Sequence, residues 1–163
     1  LTRLLIVSDT HGEVIRLSDL MKKYEGRYDV LVHLGDRVMD FFAVSEIPPA
    51  SVVVKGNMET AGPGSESPND WIGEWDGVKV LATHGHRYSV HSTMVFLMRE
   101  AKRLDSALVL FGHTHERFDE TRDSIRYFNP GAFKSGDYGY AVLDKGNILE
   151  ICHDRLTDIK DGE

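Results

Sequence analysis

Ala107-Leu-Val-Leu-Phe-Gly-His-Thr-His115 is the stretch from which the rest of the chain is read. The apolar run 107–111 has the length and content of a buried strand, and it stops at Gly112. His113 and His115 follow at once. A His-x-His pair is weak evidence alone, because alternate residues on a strand face commonly make ordinary hydrogen bonds. Its weight comes from other strands that end alike: Asp9-Thr-His-Gly12, Leu34-Gly-Asp36, Lys55-Gly-Asn57 and His84-Gly-His86. Open α/β sheets place their ligand sites at the carboxyl ends of strands, so the repeated ending is the signal.

Working outward, the first third alternates. Residues 3–8 form a strand, Val14, Leu17, Met21 and Tyr24 mark a helix over 13–25, and 30–33 is a second strand. A short helix over 37–46 stops at Pro48-Pro49, and 51–54 is a third strand. This order argues for parallel pairing with right-handed crossovers. Residues 60–70 are turn formers with no periodicity and are expected to form a loop beside the site. The runs 71–75 and 78–83 flank Asp76-Gly77, a hairpin signal. Val90, Met94, Leu97, Met98, Ala101 and Leu104 share one helical face, predicting a helix over 89–104. Beyond the opening stretch, 117–121 and 124–128 pair about Arg122-Asp123. Asn129-Pro-Gly131 is a turn, and 138–144 pairs with 147–153 through Lys145-Gly146. The last ten residues are polar and expected to fray.

The 163 residues suit a single domain spanning 1–163 with a proper core. The formal charge of −7 disfavours a partner gripped through many phosphates, such as duplex DNA or long RNA. A small anionic substrate stays open, because a bound metal reverses the local sign. Cys152 is the one cysteine, which excludes a disulfide framework or a thiolate metal cluster. No apolar run approaches the roughly 20 residues of a membrane-spanning helix, and no leader pattern precedes the first strand. A cytoplasmic protein without membrane contact is the default expectation.

Collected from the strand ends, the donors are Asp9, Asp36 and Asn57 through oxygen and His11, His84, His113 and His115 through nitrogen. A mixed nitrogen and oxygen set without sulfur suits a borderline divalent metal. Seven donors exceed the needs of one ion that must keep a water, and they suit two ions sharing a carboxylate. Two such ions carry four positive charges, of which the two aspartates remove two. The positive centre that remains suits a phosphoryl group, and two-metal sites stabilise both the attacking and the leaving oxygen of an in-line displacement.

Taken together, these motifs resemble the ordered motifs of the calcineurin-like metallophosphoesterases, most of all their small bacterial and archaeal YfcE-like phosphodiesterase branch. The resemblance runs from Leu5 to the final hairpin. It implies an α/β fold, an αββα four-layer sandwich of two mixed β-sheets flanked by helices. It also implies a dimetal phosphoesterase, a hydrolase acting on ester bonds that cleaves a small phosphodiester, or a phosphomonoester, by attack of a metal-bridging hydroxide. By that resemblance one ion takes Asp9, His11, Asp36 and His115, and the other takes Asp36, Asn57, His84 and His113, with Asp36 bridging. Manganese is the favoured cofactor, with nickel, iron, zinc, cobalt and magnesium as alternatives. His86 and Asn57 are the catalytic candidates, and Asn57, Met58, His86 and Arg37 the substrate contacts.

Two positions depart from the family pattern. Where much of the superfamily has His after the Gly-Asn pair, and the small branch commonly Cys followed by Asp, this chain has Met58 and Glu59. Ala132 follows the late Asn-Pro-Gly turn, where the branch often has Ser. Helix capping is the ordinary explanation for any one of Asp9, Asp36 or Asn57, but it does not account for all three in register with four histidines. His33 reads as a satisfied core imidazole, His91 and His153 as surface residues, and Arg37 and Arg87 as phosphate clamps or solvent-facing charge. Trp71 and Trp75 read as core, although an exposed hairpin carrying both could seed a homo-oligomer. A second reading is a protein-binding scaffold of the retromer-subunit type, whose fold is similar and whose metal centre is impaired. Seven competent ligand positions weigh against it.

Overall fold

The computed structural model describes residues 1–62 and 64–157. Among the described residues, ten strands form two five-stranded sheets. The first is ordered β10-β9-β1-β2-β3, from Asn147–Arg155, Asp137–Asp144, Thr2–Val7, Val30–His33 and Ser51–Val53. The second is ordered β4-β5-β6-β8-β7, from Asp70–Trp75, Val78–Thr83, Leu108–Leu110, Ile125–Pro130 and Arg117–Arg122. Within the first, β1, β2 and β3 run parallel while β9 and β10 are antiparallel. Within the second, β5, β6 and β8 run parallel and hairpin partners flank them. Both sheets are mixed, as the family resemblance implied.

Alternation of side chains along strands divides the core into three layers. Between the sheets lie Leu4, Ile6, Val30 and Val32 from one and Val80, Ala82, Leu108 and Leu110 from the other, all buried. On the outer face of the first sheet, Leu5, Val7 and Leu31 meet Leu17, Leu20 and Met21 of α1, Val14–Lys23. On the outer face of the second, Leu81, Val109 and Tyr127 meet Leu97 and Ala101 of α3, Val95–Arg103. Helix, sheet, sheet and helix thus stack in four layers. No helix among the described residues is long and apolar enough to cross a membrane.

Several boundaries move. The predicted helix over 89–104 begins only at Val95, preceded by a 3-10 turn at His86–Tyr88 and a left-handed Ser89 (φ 56°). Val90 and Met94 still face the core, but from an irregular segment. The helix predicted over 37–46 shrinks to α2, Met39–Ala43, because residues 35–37 are held in the left-handed region. Asn129 and Pro130 are the end of β8 and not a turn. Trp71 and Trp75 stack with ring centroids 4.4 Å apart and pack against the inter-sheet core. The loop after β3 is tied down by Lys55, whose N–H donates to Pro68 O at 2.9 Å and whose Nζ donates to Ser65 O at 3.3 Å. Of the ten residues expected to fray, Asp154 and Arg155 belong to β10, and 158–163 lie outside the described residues.

Candidate metal centre

All seven donors lie just beyond the carboxyl ends of parallel strands. Asp9 and His11 follow β1, Asp36 follows β2, Asn57 follows β3, His84 follows β5, and His113 and His115 follow β6. The two sheets carry their parallel strands to a common edge, where six of the donors gather into two triads and Asn57 lies beside the second. Asp9, His11 and His115 each offer an atom within 4.8 Å of the others, and so do Asp36, His84 and His113.

In the first triad Asp9 is fully buried. Its Oδ2 accepts from Ser8 Oγ at 2.5 Å and from the His113 backbone N–H at 3.2 Å. Its Oδ1 has no hydrogen-bond partner, yet lies 3.2 Å from His115 Nε2, 3.8 Å from His11 Nε2 and 4.0 Å from His84 Nε2. His11 Nε2 is likewise buried and unpartnered. Burying such atoms without partners costs about 1–3 kcal/mol each, and a cation among them would remove that cost.

The second triad is organised by His84, also fully buried. Its Nδ1 lies 2.8 Å from Leu34 O. A carbonyl only accepts, so Nδ1 carries a proton and Nε2 faces inward. That atom lies 3.4 Å from Asp36 Oδ2 and 3.1 Å from both His113 Nδ1 and the Asn57 amide. The amide can present either end: with its NH₂ inward it donates to Asp36, His84 and His113 at 3.1–3.3 Å, and with its oxygen inward it is a metal donor. Burial lowers the His84 pKa, but the Asp36 and Asp9 carboxylates outweigh it and raise the net value. Burial pulls Asp36 upward, and the His84 contact overrides this to hold it at about 2. Burial, with His84 and His91 adjacent, pushes His113 down to about 4. Lone pairs converging on one point bind either a proton or a metal, and the donor types fit a divalent cation.

Close backbone approach explains the glycines. A Cβ on Gly112 would fall on Ser8 Oγ and come 3.1 Å from Asp9 Oδ2, and one on Gly35 would come 2.8 Å from His84 Nδ1. Five of the motif residues themselves (Asp9, His11, Asp36, His113 and His115), and Arg37 next to them, have positive φ without being glycine. Such backbone is uncommon, and it clusters where surrounding structure holds it in place.

Three supporting residues were not among the candidate site residues. Glu59 gathers backbone donors: Oε1 accepts from Asp36 N and Gly56 N, each at 2.8 Å, and Oε2 accepts from Arg37 N at 2.6 Å. Asn129 Nδ2 donates to Gly112 O at 3.1 Å and Thr114 Oγ1 at 3.0 Å, holding the His113–His115 loop. Asp40, buried, accepts from Thr10 Oγ1 and Gly12 N. The late Asn-Pro-Gly motif and the acidic residue two after Asn57 were the visible signals.

Other candidates sort differently. His33 is fully buried, its Nδ1 accepting from Gly35 N and its Nε2 near Thr10 Oγ1, which agrees with the core reading. His86 is half-buried on its 3-10 turn with Nδ1 unpartnered, its ring 5.4 Å from that of His84. Met58 is exposed, and its backbone N–H donates to Asp36 Oδ1 at 3.0 Å. Arg37 is exposed with one guanidinium nitrogen 3.7 Å from Asp40, and Arg87 faces solvent. Of the two histidines expected at the surface, one is there and one is not. His153 is half-buried, bonded to Asn129 O at 2.7 Å and stacked on Phe128. His91 is exposed, but its ring centroid lies 4.4 Å from that of His113, at the edge of the site.

A family model for the calcineurin-like phosphoesterase superfamily domain matches residues 3–147. A Bacillus subtilis protein named probable metallophosphoesterase YsnB is 30% identical, over 94% of this chain and 98% of its own. Among solved structures, a predicted phosphoesterase from Streptococcus pneumoniae superposes with a TM-score of 0.78 at 23% identity, over 94% and 89% of the two chains. An archaeal phosphodiesterase gives 0.70 at 22%, over 95% and 100%. Vps29 of Entamoeba histolytica gives 0.72 at 14%, over 96% and 100%. At those identities the superpositions speak to fold.

Proposed function

Because the chain belongs to the calcineurin-like phosphoesterase superfamily, we propose that it is a metal-dependent phosphodiesterase working through a centre of two divalent ions. The observation that carries this reading is the buried, unpartnered Asp9 Oδ1 at the middle of three imidazole nitrogens, next to a second triad around His84. Asp9, His11 and His115 would hold one ion and Asn57, His84 and His113 the other, with Asp36 between them. When bound, such ions acidify water to supply a nucleophile near neutral pH and neutralise phosphoryl oxygens; the nitrogen and oxygen donors fit a borderline divalent ion, with manganese the favoured identity by resemblance to the family.

The chain's own side chains do the rest. The Leu34 carbonyl fixes the His84 tautomer and leaves Nε2 free to ligate. Ser8 and the His113 N–H occupy Asp9 Oδ2 and so direct Oδ1 into the site. Asn57 and His86 would orient a bound phosphoryl group by hydrogen bonds, and Arg37, next to Asp36 in the chain and exposed, would add positive charge. The scaffold reading is less favoured, because every donor position holds a side chain able to ligate and the donors converge.

Turnover of bis(4-nitrophenyl) phosphate tests this reading. Exhaustive chelation should abolish it and Mn²⁺ should restore it, whereas Ca²⁺, which prefers 6–8 oxygen ligands, should restore it poorly. Turnover that persists after confirmed metal loss would end the proposal.

A further inference from the structure

A second concave feature lies beside the His113 ring, and no motif accounts for it. Val90, Met94, Phe111 and Phe118 form the apolar walls of a cavity of about 210 Å³. It adjoins the metal centre directly: His91 lines it with its ring 4.4 Å from that of His113, and Thr114, also lining it, sits between His113 and His115 in the chain. One wall is built by the motif itself. Gly85, with φ 108°, leaves the space that Val90 fills, since a Cβ there would come 2.9 Å from Val90 Cγ2. The irregular segment that replaces the first turns of the predicted helix is therefore what carries Val90, His91 and Met94 to this place.

The chemistry of the lining selects its occupant. Phe111 and Phe118 meet edge to face at 5.7 Å, and Met94 adds a polarizable sulfur, an environment suited to an aromatic ring. Two charged residues also line the cavity. The Arg117 guanidinium is engaged by Asp137 at 3.2 Å and by Asp154 O at 3.1 Å, while Glu116 is an exposed carboxylate. Opposite charges on this rim leave the apolar walls to select the occupant. We propose that this cavity receives the neutral aromatic group esterified to phosphorus, making the chain selective for aryl esters over small alkyl esters. The inference rests on the phosphoesterase reading and adds the substrate class to it.

Phenylphosphonate and methylphosphonate, which share the anionic head and cannot be hydrolysed, separate the cavity from the metal centre. Binding to the Mn²⁺-loaded protein is measured by calorimetry. Phenylphosphonate should bind tighter, on the order of tenfold for burial of a ring face. Met94→Glu should remove that preference while methylphosphonate binds as before, and Met94→Ala carries the same comparison if the charged variant fails to fold. With ¹³C-methyl methionine, the Met94 resonance of a Zn²⁺-loaded sample should shift with phenylphosphonate and stay in place with methylphosphonate. Equal affinities, or a Met94 signal indifferent to both, would overturn the subsite and leave the phosphoesterase reading standing. If neither phosphonate binds and no ester is turned over, both fall together.

Discussion

A thioether has no proton to give, and Met58 stands where much of the superfamily has histidine. Its side chain is exposed and its backbone N–H donates to Asp36. General acid catalysis typically contributes 10²–10⁴-fold; without it the leaving oxygen departs largely as an anion. Rates across a series of aryl and alkyl diesters, with chemistry limiting, should rise steeply with leaving-group acidity. His86 is the favoured substitute donor, half-buried beside His84, with burial holding its pKa below the ordinary imidazole value. A flat series in the parent protein that turns steep in His86→Gln would show that His86 supplies the proton, contrary to this expectation. At this scale the sequence was most legible, because the seven donors sit beside glycines at strand ends. What it hid was the supporting contacts: no pattern in the letters announces that Glu59 caps four backbone donors or that Asn129 holds the His113 loop.

Strands and helices were legible in proportion to how far burial alone decides them. Every strand was foreseen near its place, since period-two and continuous apolar runs survive whatever the loops do. The helices fell short for a physical reason. Apolar spacing marks Val90 and Met94 as inward-facing, and so they are, but left-handed Gly85 and Ser89 break the backbone that would have made them helical. Likewise α2 starts late because Gly35, Asp36 and Arg37 have positive φ, a conformation that the site requires and that residue identity does not advertise. Glu59 joins the β2 and β3 loops that carry Asp36 and Asn57. Removal of supporting residues of this kind costs roughly 10–100-fold in metal affinity. Glu59→Ala should therefore weaken Mn²⁺ binding by that order in a calorimetric titration, with Glu59→Gln weakening it less because one acceptor oxygen remains. Unchanged affinity in the alanine variant would deny Glu59 that role.

For the molecule as a whole, the site's location follows from the four-layer stack, since both sheets present the carboxyl ends of their parallel strands at one edge. The same arrangement buries His33 under that edge, and desolvation lowers its pKa to about 4 from an ordinary 6.5. Between those values the unfolded chain binds a proton that the folded chain refuses. Stability is therefore complete above pH 6.5 and lost as pH falls toward 4, by about 2 kcal/mol between pH 7.5 and 5. Urea denaturation should show that loss in the parent protein and a smaller one in His33→Gln, which keeps an acceptor for the Gly35 N–H; equal losses would place the pH sensitivity elsewhere. The central claim, a two-ion centre sharing Asp36, is met most directly by counting ions. Metal-free protein titrated with Mn²⁺, with bound metal confirmed by elemental analysis, should saturate at two ions per chain, and Asp36→Asn should lose at least one of them together with activity. Saturation at two ions in Asp36→Asn with near-normal turnover, or at a single ion in the parent protein, would contradict it.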